Sequence, residues 1–369
     1  MIIELDISLV ARLEQDASFE SFVCVALDNI ANAQREGNHL VFAELSTLEA
    51  LRKYNGWFSP RTNAVLQRAA NRFPQLTRFA RSVCVKLLVG DFNAQSVEMR
   101  EGCRTILFPV ESVTTSLVQR TLLLVENVTD ATYYQWITEH VLAGGEFRDC
   151  HMSLEAYQGG GNTTGEAYEH IKHNTSRLCL CIVDSDIRSP EAAHGDTAAK
   201  VWRSDHRRPS PRTDHHVLDV CSIENLIPFE VFESAWASDP NLRSRLDEYR
   251  PLYVDERWPY LQLKKDVKCI ELQSEKAFSV FWHPVLATEA TRAACENDER
   301  EAKCTRRDDC DVIALRSLAS SPLNAALSTL NDNASRGPFK LLPRVAAAWS
   351  EIARLIIGWC CATPPVAAG

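Results

Sequence analysis

The sequence predicts an α/β fold with a mostly parallel sheet flanked by helices. Three short apolar runs predict buried strands, and each is followed by a segment long enough to form a helix or a long connection. Strands that alternate with helices are typical of a parallel sheet covered on both faces. The predicted strands are residues 121–125, 178–183 and 216–220.

The two flanks of this central part predict different structures. Residues 1–115 mix helical patterns at 46–54 and 59–80 with strand-like pieces at 82–89 and 105–110. Ser59 precedes a proline, which is typical of the start of a helix. We therefore expect three regions: a mixed α/β region of unknown role at 1–115, the α/β sheet region at 116–270 and a mainly helical tail at 271–369.

The composition is that of an ordinary globular protein. The chain has 369 residues, of which 45% are hydrophobic and 24% are charged, so it can form two or three domains. Its net charge of −9 argues against a broad basic surface, so a polyanion would be held by metal ions and local basic patches. Most of the thirteen cysteines are expected to be reduced core residues.

Targeting signals are not expected. The first ten residues are acidic at their start and do not read as a signal peptide. No apolar run approaches the roughly 20 residues needed to cross a bilayer. These features predict a cytoplasmic protein without membrane contact.

Acidic side chains follow each predicted strand. Glu126 comes after the first strand, Asp184 and Asp186 after the second, and Glu224 shortly after the third. The carboxyl ends of parallel strands meet at the edge where open α/β sheets bind ligands. Mg²⁺ prefers oxygen ligands and keeps waters that a substrate phosphate can replace. The pattern predicts a site for Mg²⁺ or Mn²⁺, whereas the alternative for each acid is a helix cap or a solvated loop position.

The three motifs in this order resemble the Toprim catalytic domain shared by topoisomerases, primases and several nucleases. Glu126 matches the glutamate of that family, and Asp184 and Asp186 match its Asp-x-Asp pair. The Ser-Ile-Glu-Asn run that contains Glu224 looks like the downstream motif of overcoming-lysogenization-defect (OLD) nucleases and of Toprim effectors in anti-phage systems such as PARIS. The resemblance covers about residues 118–270.

The resemblance implies a Toprim-like sheet and a metal-dependent nuclease that cleaves DNA or RNA in bacterial anti-phage defence. Glu126, Asp184, Asp186 and Glu224 would be its metal ligands. It also implies an ATPase or sensor protein as partner. The chain has no G-x-x-x-x-G-K-[ST] loop of its own, so any nucleotide hydrolysis would come from another protein. For the oligomeric state, a monomer and a homo-oligomer are both open alternatives. The alternative function is a non-catalytic Toprim-fold interaction or sensor subunit of a defence complex.

A lysine pair follows the acidic motifs in residues 260–267. This segment resembles the strand-then-lysine segment of related nucleases, where a lysine stabilises charge on a phosphate oxygen. Lys264 or Lys265 would take that catalytic role, and the alternative for the pair is an ordinary surface position.

Other polar segments have residue types suited to binding. Residues 189–215 predict an exposed loop with one short helix, which either steers a phosphodiester or is a solvated insertion. Its arginines are Arg203, Arg207, Arg208 and Arg212. The histidines His194, His206 and His215, and His216 just after the segment, lack metal spacing and are expected to be loop residues and not ligands. Two interpretations are open for His283, Cys295, Cys304 and Cys310. The cysteines are free, or the four residues bind a structural Zn²⁺ ion.

Overall fold

The computed structural model describes residues 1–145, 150–255, 257–273, 276–287, 312–332 and 339–366. The chain divides into two compact units. Unit 1 contains Met1–Ile182, Lys200–His216 and Trp349–Gly369, and unit 2 contains Val183–Ala199 and Val217–Ala348. Both predicted features of the fold class, a parallel sheet and flanking helices, are present, so the α/β class is confirmed.

The first sheet of unit 1 has five strands in the order β2-β1-β3-β5-β4. Four of them are parallel, and β4 runs antiparallel to β5 at the edge. Together with its helices this sheet gives the mixed α/β structure predicted for the amino-terminal region. The strands are β1 Ile2–Leu5, β2 Leu40–Ala43, β3 Val85–Gly90, β4 Ser96–Arg100 and β5 Cys103–Pro109.

The helices around this sheet follow from local sequence signals. Ser59 Oγ accepts a hydrogen bond from Thr62 N at 3.2 Å, so α4 begins at Pro60 as predicted. The predicted helix 59–80 is two helices, because the backbone leaves the helical conformation at Arg72 and Pro74 starts a new one. The helices are α1 Ser8–Gln15, α2 Glu20–Arg35, α3 Leu45–Leu51, α4 Pro60–Asn71 and α5 Phe73–Ser82, and the 3-10 helices are Ala17–Phe19, Arg52–Tyr54 and Val110–Ser112.

The second sheet has the order β10-β9-β6-β8. β6 is parallel to both neighbours, with Leu124 opposite Tyr157 on one side and Cys181 on the other. Every residue of β6 and β9 is buried, as expected for strands covered on both faces. The strands are β6 Thr121–Val125, β7 His151–Met152 (outside this sheet), β8 Leu154–Gln158, β9 Cys179–Val183 and β10 Thr213–Val217.

The third predicted strand is displaced along the chain. It was expected at residues 216–220, but β10 is Thr213–Val217. Pairing with β9 decides its position, since Cys179 N donates to the Arg212 carbonyl at 3.0 Å. Glu224 therefore follows a longer connection than the apolar run predicted.

The segment expected to be an exposed loop contains a regular helix. Asp196–Arg207 forms α8, which buries Ala198, Val201 and Ser204 at successive spacings of three residues. The one helix predicted within 189–215 is therefore present, with 12 residues, whereas residues 213–215 lie on β10 and not in a loop. The other helices of this region are α6 Val128–Ala143 and α7 Thr164–Asn174, and Gly161–Thr163 is a 3-10 helix.

Unit 2 is mainly helical. A strand was expected to begin near Tyr260, but Trp258–Tyr260 is a 3-10 helix and the next strand begins at Val267. Pro259 lacks an N–H and does not suit a ladder, which explains the difference. The helices are α9 Phe229–Ala235, α10 Pro240–Tyr253, α11 Ala277–Leu286 and α12 Pro322–Asn331, the other 3-10 helices are Ile223–Leu226 and Cys269–Gln273, and β11 Val267–Lys268 pairs antiparallel with β12 Ile313–Leu315.

The last helix, α13 Pro343–Cys360, leads into β13 Cys361–Ala362, which pairs antiparallel with β7. Within unit 1 its Trp349 ring packs edge-on against Trp136, with centroids 5.5 Å apart. Thr121 Oγ1 donates to the Trp359 carbonyl at 2.7 Å. These contacts dock the end of this helix on the core of unit 1. Among the helices of the described ranges, none is long and apolar enough to cross a membrane.

Candidate active site

Glu126 follows the last residue of β6 in unit 1. The chain enters α6 through a capping box, in which Asn127 Oδ1 accepts from Thr129 N at 3.1 Å and Asn127 N donates to Asp130 Oδ2 at 2.8 Å. Toprim proteins often have glycine at this position. Asn127 has an extended backbone with φ −132°, so no glycine is needed here.

Three successive glycines hold the backbone around Glu126. Gly159 N donates to the Val125 carbonyl at 2.7 Å, and Gly160 N donates to the Glu126 carbonyl at 3.1 Å. Gly160 and Gly161 have φ of +80° and +63°, a conformation that favours glycine. The run of three glycines after β8 could have indicated that this segment positions the backbone of Glu126. This role was not predicted from the sequence.

Asp184 and Asp186 follow β9 in a loop that is bonded to a second segment of unit 2. Ser185 Oγ donates to the Val220 carbonyl at 2.6 Å, and Asp186 N donates to the Cys221 carbonyl at 2.9 Å. Ile223 N donates to Asp184 Oδ1 at 3.0 Å. Asp184 is therefore held against the residue that directly precedes Glu224.

The exposed Asp186 depends on a glycine nine positions later in the chain. Its backbone has φ +55°, which aspartate tolerates better than most residues. Gly195 N donates to the Ser185 carbonyl at 2.8 Å and closes the loop. A Cβ atom at position 195 would overlap Asp186 Oδ2. Glycine at 195 therefore leaves the Asp186 carboxylate room in its observed position.

A buried asparagine fixes the turn that carries Glu224. Asn225 Oδ1 accepts from Ser222 N at 2.9 Å, while Asn225 Nδ2 donates to the carbonyls of Trp258 and Leu261, both at 2.8 Å. Trp258 Nε1 donates back to the Asn225 carbonyl at 2.9 Å. This network joins the 3-10 helix Ile223–Leu226 to the segment that leads to Lys264. The sequence analysis missed it, although the Ser-x-x-Asn spacing resembles a capping box.

Glu224 and Lys264 form an ion pair. Lys264 Nζ lies 3.0 Å from Glu224 Oε1, and the two side chains are 41% and 4% exposed, respectively. Glu224 Oε2 is buried and has no hydrogen-bond partner among the described residues. A buried carboxylate oxygen without a partner is costly, so it is a position for a cation or a ligand donor. Of the two predicted lysines, Lys264 is the one that contacts a predicted metal ligand.

Cys221 lies in the segment of unit 2 that is bonded to the loop of Asp184 and Asp186. Burial raises the pKa of Cys221 to about 12, and the charges of Asp184, Asp186 and Glu224 act in the same direction. The hydrogen bonds from Ile223 N to Asp184 and from Asp186 N to the Cys221 carbonyl join the three carboxylates and Lys264 into what we call the carboxylate cluster. The ligand atoms of its three acids do not all lie within 4.8 Å of one another. Glu126 belongs to unit 1, and its role as a further ligand stays a prediction.

A different set of possible metal ligands lies in unit 1. One ligand atom each of Asp205, Asp214 and His215 lies within 4.8 Å of the others. In the part of the chain that the structure describes, no other three acidic, histidine or cysteine residues come this close. His215 lies on β10, not in a loop as predicted, because the strand begins two residues before it.

The Asp205 carboxylate in this set already has three protein partners. It accepts from Lys172 Nζ at 2.9 Å, from Tyr168 OH at 2.9 Å and from His215 Nδ1. Burial acts to raise the pKa of Asp205, but the hydrogen bonds from His215, Lys172 and Tyr168 outweigh it and lower the pKa. Lys172 is fully buried, so an ion at Asp205 would face an existing cation. The set suits a structural network better than a divalent ion.

The remaining predictions concern basic residues and zinc. Arg212 Nη1 donates to the Thr175 carbonyl at 2.6 Å, so this arginine supports the end of α7. Arg203 and Arg207 lie on α8. Cys295, Cys304 and Cys310 lie outside the described residues, and only His283 of the proposed zinc ligands is within them, on α11.

No family model, no curated protein and no solved structure matches this chain. The resemblance to Toprim nucleases therefore rests on the motifs of the sequence itself. Membership of that family stays a prediction.

Proposed function

We propose that this protein is a metal-dependent nuclease that hydrolyses phosphodiester bonds of DNA or RNA. The observation that supports the proposal is the buried Glu224, which has one oxygen on Lys264 and the other without a described partner, in a turn that is bonded to Asp184 through Ile223 N. Carboxylate oxygens are the ligands that Mg²⁺ and Mn²⁺ prefer, so the residues fit such an ion. Asp184, Asp186 and Glu224 would hold it, with Glu126 as the further predicted ligand.

Each residue of the cluster has a distinct part in this proposal. A bound divalent ion supplies an activated water and stabilises charge on phosphate oxygens. The hydrogen bond from Ile223 N keeps Asp184 in a fixed orientation, and the Asn225 network does the same for the Glu224 turn. Lys264 is half-exposed and so can turn from Glu224 towards a phosphate oxygen that gains charge.

The biological setting follows from the resemblance alone. It is a role as effector of bacterial anti-phage defence, with an ATPase or sensor protein as partner. The Toprim pattern formed by Glu126, Asp184 and Asp186 is the feature of this chain that supports it.

One observation favours the alternative of a non-catalytic interaction or sensor subunit. Lys264 neutralises Glu224, one of the proposed metal ligands, and an interaction module would keep this pair as a permanent link between two turns. Such a module would keep its function after its carboxylates are replaced, whereas a nuclease would lose its cleavage activity.

Cleavage assays test the proposal. The parent protein is incubated with Mg²⁺ or Mn²⁺ and plasmid, linear duplex, single-stranded DNA or total transfer RNA, alongside Asp184→Asn and Glu224→Gln. Asp247→Asn is the matched control, since its carboxylate is 74% exposed on α10. We expect metal-dependent cleavage of one substrate class by the parent and the control, and none by the two site variants. Undiminished cleavage by both variants, or no cleavage and no Mn²⁺ binding by the parent, would contradict the proposal.

A further inference from the structure

We propose that a cavity beside this cluster in unit 2 binds a base of the nucleic-acid substrate. The inference rests on the proposed nuclease function and names a further binding site for it. The cavity has a volume of about 440 Å³, which lies in the range of small-ligand pockets. Its walls include Pro190, Tyr260, Phe281 and Arg344.

The cavity and the carboxylate cluster share two segments of the chain. Pro190 lies four residues beyond Asp186, in the loop that follows β9. Pro259, another wall residue, accepts a hydrogen bond through its carbonyl from Cys221 N at 2.6 Å, and the Cys221 carbonyl accepts one from Asp186 N at 2.9 Å. A nucleotide whose phosphate lies at the cluster therefore has this cavity as an adjacent space for its base.

Two of the described wall residues are aromatic. Tyr260 and Phe281 pack edge to face, with ring centroids 5.4 Å apart and planes at 80°. Prolines at 190, 259 and 343 add further apolar surface. Aromatic side chains bind bases by stacking, and this works for any base because each one has a π-face.

The polar groups at the cavity suit the edge of a base. Arg344 lies over the Tyr260 ring at 4.8 Å and donates to Tyr260 OH and to the Asp219 carbonyl, both at 2.6 Å. A guanidinium has five N–H donors, so it can donate to further acceptors. Asp255 Oδ1 accepts from Arg257 N and from Arg257 Nη1, both at 3.0 Å, and Oδ2 accepts from Nη1 at 2.9 Å, so acceptor capacity remains on Oδ2.

Arg344 and Asp255 favour some classes of ligand over others. A heterocycle that has both donors and acceptors on its edge can pair with Arg344 and with Asp255. An aliphatic ligand would leave the remaining donors of Arg344 and the remaining acceptor capacity of Asp255 without a partner, which is costly. A base is therefore the occupant that the wall chemistry fits best.

Nucleoside binding tests this inference without requiring cleavage. Adenosine, guanosine, cytidine and uridine are titrated into the full chain in EDTA and followed by ligand-observed NMR. The variants are Phe281→Leu, which removes a stacking ring, and Arg344→Gln, which removes the guanidinium. Val280→Leu is the control, because Val280 is 68% exposed and adjacent on the same helix. Circular dichroism and Tm establish that each variant is folded.

We expect at least one nucleoside to bind the parent and Val280→Leu equally. Its Kd should rise about tenfold or more in Phe281→Leu and in Arg344→Gln. No binding by the parent, or equal binding of N-acetyl-phenylalaninamide, would overturn the base site. Nucleoside binding by a parent protein that cleaves nothing would instead leave the base site in place and count against the nuclease, so the two failures are distinguishable.

Discussion

Lys264 Nζ lies 3.0 Å from Glu224 Oε1 and joins a half-exposed cation to a carboxylate that is 4% exposed. The two residues are 40 positions apart in the chain and come together because Asn225 bonds the turn of one to the carbonyls of Trp258 and Leu261. The candidate site therefore combines the turn that carries Glu224 with the segment that carries Lys264, and these two parts of the chain are distant in sequence.

The first prediction concerns this ion pair. Lys264→Met should lower the free energy of unfolding by about 1 to 2 kcal/mol, between the values typical of exposed and of buried pairs, because Glu224 loses its cation. Lys265→Met is the control, since that side chain is exposed and next in sequence. Urea unfolding measures both. Equal stability of the two variants would show that Glu224 does not depend on Lys264.

The second prediction concerns Asn225, which is fully buried. Asn225→Ala should cost about 3 kcal/mol, because the Trp258 and Leu261 carbonyls and Ser222 N lose a buried partner. Asn225→Asp should cost at least as much, since a carboxylate would face two carbonyl oxygens. The exposed Asn241→Ala serves as control. An aspartate variant as stable as the parent in urea unfolding would refute the assigned hydrogen bonds.

The third prediction concerns Gly195. Gly195→Ala places a methyl group against Asp186 Oδ2, so the carboxylate must move although no acidic residue has changed. Mn²⁺ affinity should fall about tenfold or more, as for other residues that position metal ligands. Gly56→Ala is the matched control, because a Cβ at position 56 meets nothing within 4 Å. Calorimetric Mn²⁺ titration checks the result, and unchanged affinity would remove Asp186 from the proposed ligands.

The fourth prediction is a pH dependence at Asp205. Its pKa is lowered from the ordinary value of 3.8 in the folded protein, so its contribution to stability is present above that value and is lost as the pH falls through the lowered pKa. Asp205→Asn should cost about 3 kcal/mol near neutral pH, because the buried Lys172 loses its carboxylate.

The difference between parent and Asp205→Asn should shrink as the pH falls below 3.8, and it should be lost once the pH is below the lowered pKa, where the carboxyl of the folded parent is protonated as well. Urea unfolding at a series of pH values measures it. The exposed Asp247→Asn should show no comparable difference at any pH. A difference that grows on acidification would mean that Asp205 is not stabilised as a carboxylate.

Local patterns determined much of the α/β fold. β6 and β9 were predicted within one residue, since a strand covered on both faces must be a continuous apolar run. The start of α4 followed from Ser59 and Pro60, because the cap is formed by neighbouring residues. Glu126, Asp184 and Asp186 were placed at strand ends for the same local reason.

Contacts between distant residues decided the rest. Pairing with β9 moved β10 to Thr213–Val217, and burial of one face made α8 from a polar segment. The choice of Lys264 over Lys265 as the partner of Glu224 depends on hydrogen bonds of Asn225 to residues more than 30 positions away. Hydrophobic pattern reports which residues are buried, whereas the partner of a buried polar group is settled only when the chain has folded and brought that partner close.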